Sequence, residues 1–94
     1  MEAQVARARI VVSGIVQGVG FRFFTVDAAR RLGLSGFVRN MDDGSVEVEV
    51  EGDEEVIESF TKDLSMGPRA ARVSGIRSEP LPPGGRYKGF ELRY

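Results

Sequence analysis

The chain contains no cysteine, no histidine and no tryptophan. The first absence excludes disulfides and thiol nucleophiles. The second removes imidazole bases, Ser–His and Cys–His pairs, and nearly every zinc site. Lysine is scarce, with two residues against eleven arginines, a bias that a GC-rich genome or adaptation to heat would each produce. Asparagine occurs once, at Asn40. No apolar run approaches the roughly 18 residues that a membrane span needs. The start Met1-Glu2-Ala3-Gln4 lacks the basic-then-apolar order of a secretory signal, so the expected location is the cytoplasm. A net charge of −1 gives no global field to draw in nucleic acid, and any anion site has to be local. What remains is an ordinary globular composition, 41% hydrophobic and 29% charged over 94 residues. That is enough for one domain, residues 1–94, with a single core.

Hydrophobic periodicity supplies the elements. Residues 7–14 alternate, with Ala8, Ile10 and Val12 on one face and Arg7, Arg9, Val11 and Ser13 on the other, the pattern of a half-buried strand. Residues 21–32 carry Phe21, Phe24, Ala28 and Leu32 at helical spacing, and Gly33 stands where a C-terminal cap belongs. A second strand is expected over 35–41, a turn at Asp42-Asp43-Gly44, and a third strand over 45–51 with Val46, Val48 and Val50 opposing Glu47, Glu49 and Glu51. Asp53 is a natural N-cap for a second helix whose stripe is Val56, Ile57, Phe60 and Leu64, and Met66-Gly67-Pro68 ends it. A weaker fourth strand follows over 70–79, then a Pro/Gly loop over 80–85 and a short last strand over 89–94. The order β-α-β-β-α-β matches a ferredoxin-like split βαβ arrangement: an antiparallel sheet, two helices on one face, and a short extra C-terminal strand. Right-handed crossovers put the first and third strands in the centre. The ends of the first and second strands then lie at one edge of the sheet, which brings the segment 14–22 beside Arg39 and Asn40.

That segment reads GIVQGVGFR. Glycines alone would be accounted for by tight turning. The helix that follows, however, has only Gly20 at its N-cap position, so its first N–H groups lack a side-chain partner. Arg22 sits in the first turn, against the positive end of the helix dipole, an unfavourable place unless an anion joins it. Glycine-permitted amides leading into a helix N-terminus form a concavity of donors suited to phosphate or carboxylate. Known nucleotide loops do not fit. A P-loop needs a Gly-Lys pair that the chain lacks, and a dinucleotide fingerprint needs glycine where Phe23 stands. Asn40 has two readings: turn chemistry beside Asp42-Asp43-Gly44, or a neutral amide that orients a water without titrating.

GIVQGVGFR, followed by GFVRNMDDGSVEVEVEG over residues 36–52, resembles the acylphosphatase family, and the resemblance runs on through GPRAARV and the terminal FELRY. The family hydrolyses the carboxyl–phosphate anhydride of acyl phosphates, without metal or cofactor, on a ferredoxin-like fold. The resemblance implies that Arg22 binds the phosphoryl group with backbone amides of Gln17, Gly18, Val19, Gly20 and Phe21. It also implies that Asn40 holds the attacking water. An acyl phosphate already carries a good leaving group, so fixed donors and an oriented water suffice, and an inventory without histidine or cysteine can do the work.

Two other readings compete. One is a non-catalytic anion-binding module of the same fold, including the acylphosphatase-like domain within some carbamoyl-transferring maturation proteins; a chain stopping at Tyr94 favours the stand-alone enzyme. The other is RNA recognition through the open face of the sheet. That face would carry Glu47, Glu49 and Glu51 beside Arg7 and Arg9, where a cross-strand ion ladder is the simpler account. The expected partner is therefore a small acyl phosphate, with no nucleic acid and no membrane, and the expected state is a monomer. Arg39 is open between adding positive potential near the site and covering the sheet.

Overall fold

Val46, Val48 and Val50 are completely buried in the strand that holds the sheet together. The computed structural model describes residues 4–94; the Met1–Ala3 start, read above for the absence of a secretory signal, lies outside the described residues. The elements are β1 (Val5–Ile15), α1 (Phe21–Arg31), β2 (Ser35–Asn40), β3 (Val46–Asp53), α2 (Glu54–Met66), β4 (Arg72–Leu81) and β5 (Phe90–Arg93). They form one five-stranded sheet in the order β4-β1-β3-β2-β5. As the crossover rule requires, β1 and β3 are central, with β3 antiparallel to both β1 and β2.

One expectation needs correction. The sheet is mixed rather than wholly antiparallel, because β5 runs parallel to β2, Gly36 opposite Phe90 and Arg39 opposite Arg93. Its approach is set by the segment 82–89, which crosses the sheet from β4 at one edge to β5 at the other. The strand boundaries shift with it: β4 extends through Pro80 to Leu81. Proline is tolerated there because β4 is an edge strand.

Both helices stop and start as their caps dictate. The Gly33 N–H donates to Arg30 O at 3.2 Å and the Leu34 N–H to Ala29 O at 2.9 Å, the paired bonds of a Schellman ending, with Leu34 buried after it. Asp53 caps α2 by accepting from the Glu55 N–H at 2.9 Å. Ile57, Phe60 and Leu64 bury its stripe, against a core that also holds Ile10, Val12, Phe21, Ala28, Val38 and Phe90. Among the described residues, no helix is long and apolar enough to cross a membrane.

The opposite face is filled with charge in register. Arg7 Nη2 lies 2.6 Å from Glu49 Oε1, while Arg9 and Arg39 each reach Glu47 at 2.6 Å from either side. Glu51 accepts the backbone N–H groups of Gly84 and Gly85. The Tyr87 hydroxyl donates to Glu49 at 2.6 Å, and its ring meets Phe37 edge-on. The Pro/Gly segment is thus a strap over the sheet. Its glutamate anchors cover the surface where an RNA-recognition module would stack bases. Arg39 belongs to this ladder.

Candidate active site

The strand β1 ends in a bulge between Ser13 and Gly14. Gly14 has φ 126°, and a Cβ there would stand 2.1 Å from the Arg72 carbonyl oxygen. Only glycine lets β1 shift its register against β4 at this point, Gly14 then standing opposite Val73 and Ile15 opposite Arg72. Val16 then turns inward and is buried, which pins the loop from beneath. Gly20 closes it at φ 80°, ψ 16°, and no side chain caps α1. Phe21 anchors the helix in the core, its ring 6.0 Å from that of Phe24.

The result is a run of unused donors. The first N–H of α1 with a protein acceptor is that of Phe24, which bonds to Gly20 O at 3.0 Å. Among the described residues, no N–H from Gln17 to Phe23 donates to any backbone or side-chain acceptor. The N-terminal turn has no acidic residue. Arg22, half-buried in that turn, pairs with no carboxylate among the described residues. Its Nη1 makes only a long 3.4 Å bond to Arg93 O, and its guanidinium lies 4.9 Å from the centre of the Tyr94 ring.

A side-chain link that the sequence reading missed joins this loop to the end of β2. The Gln17 amide donates from Nε2 to Met41 O at 2.7 Å and to Ser45 O at 2.9 Å. It therefore clamps the loop to the two residues that close the β2–β3 turn, where the Met41 N–H itself donates to Ser45 O. Gln17 had been assigned only its backbone amide; its side chain fixes where the loop sits relative to Asn40. No sequence pattern marks a glutamine for such a bond, since its partners are backbone carbonyls 24 and 28 residues away.

Asn40 is the last residue of β2, opposite Val46. The side-chain bonds of the turn come from Asp43 instead: its Oδ1 accepts from the Ser45 N–H at 3.0 Å and from Ser45 Oγ at 2.5 Å. Those bonds hold the Asp43 carboxyl below its ordinary range, the hydroxyl bond first. Asn40 is free of this work. Its Oδ1 is buried without a hydrogen-bond partner, an acceptor that is costly to leave unmet in a finished structure. The loop with its free donors and the end of β2 that carries Asn40 thus lie at one end of the sheet, joined through Gln17, with the Asn40 oxygen turned inward.

The acylphosphatase family profile matches residues 8–92. The acylphosphatase of Anaeromyxobacter dehalogenans (strain 2CP-C) is 50% identical over 88 residues, covering 94% of this chain and 95% of that protein. The solved acylphosphatase of Bacillus subtilis superposes with a TM-score of 0.91 at 35% identity, over 97% of this chain and 100% of its own. Full-length HypF, solved in a phosphate- and nucleotide-bound form, contains a similar portion: TM-score 0.86 and 30% identity, over 100% of this chain but 12% of HypF. Both stretches that stand out in the sequence, residues 14–22 and 36–52, fall within the matched region, and the chain belongs to the acylphosphatase family.

Proposed function

We propose that the chain hydrolyses acyl phosphates to a carboxylate and inorganic phosphate by direct attack of water. In this reading the phosphoryl oxygens sit in the loop, held by the N–H groups of Gln17, Gly18, Val19, Gly20 and Phe21 and by the guanidinium of Arg22. The water lies against the side-chain amide of Asn40, which orients it by hydrogen bonding and so aims a lone pair at phosphorus. The water oxygen bonds to phosphorus as the bond from phosphorus to the acyl oxygen breaks. The electron pair leaves with the carboxylate, and the spare proton passes to a phosphate oxygen or to solvent. Charge that spreads over the equatorial oxygens meets donors already in place, which need no reorganisation as the reaction proceeds. Arginine suits position 22 because its planar fork meets two phosphoryl oxygens at once.

The observation that carries the reading is, among the described residues, the unbroken run of free N–H groups from Gln17 to Phe23 beside an arginine with no carboxylate partner. Every group used comes from one chain, so a monomer suffices, and no step calls for a metal or a cofactor. The test is hydrolysis of a simple acyl phosphate with and without EDTA, in the presence of increasing inorganic phosphate. Expected are turnover indifferent to the chelator and competitive inhibition by phosphate. Abolition by EDTA with rescue by a divalent ion would overturn the mechanism. Phosphate binding without hydrolysis would favour the anion-binding module.

A further inference from the structure

We infer that the open cleft at the far end of β5 is a second anion site, which binds a diphosphate group independently of the 17–23 loop. The cleft lies where α1 ends, β2 begins and the strap enters β5, and it measures about 850 Å³, within the range of small-molecule sites. An 11-residue helix is about 16 Å long, so the Arg30 end of the cleft stands about that far from the loop; at the other end the Arg93 carbonyl oxygen accepts the 3.4 Å bond from Arg22 Nη1.

Four cations line it, Arg30, Arg86, Lys88 and Arg93, against one carboxylate, Glu91. The chain as a whole has a net charge of −1. Local excess of this kind contrasts with the middle of the sheet, where Arg7, Arg9 and Arg39 each meet a glutamate. Two of the four are already oriented. Arg30 is held by two bonds to Phe90 O, at 3.2 and 3.0 Å. Arg93 is held by Glu91 at 2.7 Å and by stacking 4.2 Å from the centre of the Phe37 ring. The other two, Arg86 and Lys88, have no ion pair and no side-chain hydrogen bond among the described residues. Tyr87 stands between them, its hydroxyl fixed to Glu49 and Arg7, so the strap does not simply wave in solvent at this point.

Like charges gathered around a concavity repel until an anion enters. Three arginines favour an oxyanion with several oxygens to bridge, which a phosphate offers more fully than a single carboxylate. The cationic excess is larger than the roughly −2 of one phosphate ester, which points to two phosphates in series. Free diphosphate and a nucleoside diphosphate share that chemistry.

The experiment uses an Arg22→Ala background, so that the loop contributes as little as possible, and titrates pyrophosphate, ADP and succinate at constant ionic strength. Binding is read by calorimetry and by backbone amide shifts. Expected is saturable binding with shifts centred on residues 86–93, weakened at least tenfold by Arg86→Gln/Lys88→Gln. The same pair of substitutions in the parent chain should leave acyl phosphate turnover unchanged, which also shows that the variant folds. Binding of pyrophosphate alone assigns the site to the inorganic ion, binding of ADP alone to a diphosphate ester, and either supports the inference. Overturning results are the absence of saturable binding, equal binding of succinate, shifts confined to residues 17–23, or affinity indifferent to the glutamine pair.

Discussion

Two arginines, Arg7 on β1 and Arg22 at the start of α1, divide the molecule between them. Arg7 is 9% exposed and engaged through both terminal nitrogens, with Glu49 at 2.6 Å, Tyr87 at 3.0 Å and the Pro82 carbonyl at 3.4 Å, while its Nε is buried without a partner. Burial pushes the Glu49 carboxyl up, but the bonds from Tyr87 and Arg7 outweigh it and hold the group below its ordinary value. Arg22 has a distant carbonyl and an aromatic ring for company, at the helix end where positive charge is least welcome. The ladder end of the chemistry is closed and the loop end is open. A charge whose partners are all internal stabilises the fold, whereas a charge left without a counterion, among free N–H groups, is available to a ligand.

This contrast makes stability and turnover separable. Arg22→Ala is expected to lower turnover by about 10³ or more, the upper scale for losing a preorganised donor to a developing anion, and to weaken phosphate inhibition. Thermal stability should stay level or rise slightly, because an unfavourable dipole contact is removed. Arg22→Lys should be nearly as poor, since an ammonium cannot present two parallel donors. A variant that unfolds along with its activity would break the division.

The mirror experiment is Glu49→Ala. It strands a buried guanidinium, and unfolding free energy should fall by about 3 kcal/mol while turnover per folded molecule is retained. Denaturant melts and a steady-state assay on the same sample check both halves. Loss of turnover with stability intact would place the ladder in the active site and end the comparison.

Asn40→Ala sharpens the loop side. It should reduce kcat by about 10², the scale at which a lost positioning contact is felt, and leave competitive phosphate affinity almost unchanged. If phosphate binding falls as far as in Arg22→Ala, the asparagine belongs to the anion cradle rather than to the water.

The smallest effect is the response to pH. The Glu47 carboxyl is pushed up by burial and brought below its ordinary 4.5 by Arg39 and Arg9; Glu49 is lowered likewise. A lowered folded value means that the unfolded chain binds the proton first. The contribution is therefore complete above about pH 4.5 and is lost as pH falls through the lowered values. With no histidine in the chain, melting temperature should be flat between about pH 5.5 and 7 and decline in acid. Glu47→Gln should flatten the acid limb. An acid limb that keeps its slope in that variant would show that the ladder does not carry it.

Much of this was legible without coordinates because it is written in short-range pattern. The Val46–Val48–Val50 alternation, the Asp53 cap and the Gly33 ending each depend on neighbours within about one helical turn or one strand. The missing cap before Phe21 and the misplaced charge of Arg22 were equally local, so the loop's run of free donors was legible from sequence. Asn40 was not decidable on the same terms. The structure gives the turn bonds to Asp43 and leaves the Asn40 oxygen buried without a partner, arrangements that no local pattern carries.

Composition and periodicity by themselves determined the element order, the central position of β1 and β3, and a repertoire without thiol or imidazole. Tertiary structure alone decided the rest. It set the parallel docking of β5, the strap that Glu49 and Glu51 hold across the sheet, and the Gln17 clamp that joins the loop to Met41 and Ser45. The physical reason is common to all three. Each is made by polar groups far apart in the chain, bonding to backbone or to single side chains, and such bonds leave no periodic trace in a sequence. Burial of apolar residues repeats every two or every 3.6 positions and can be read, whereas a hydrogen bond across 28 residues exists only once the chain has closed upon itself.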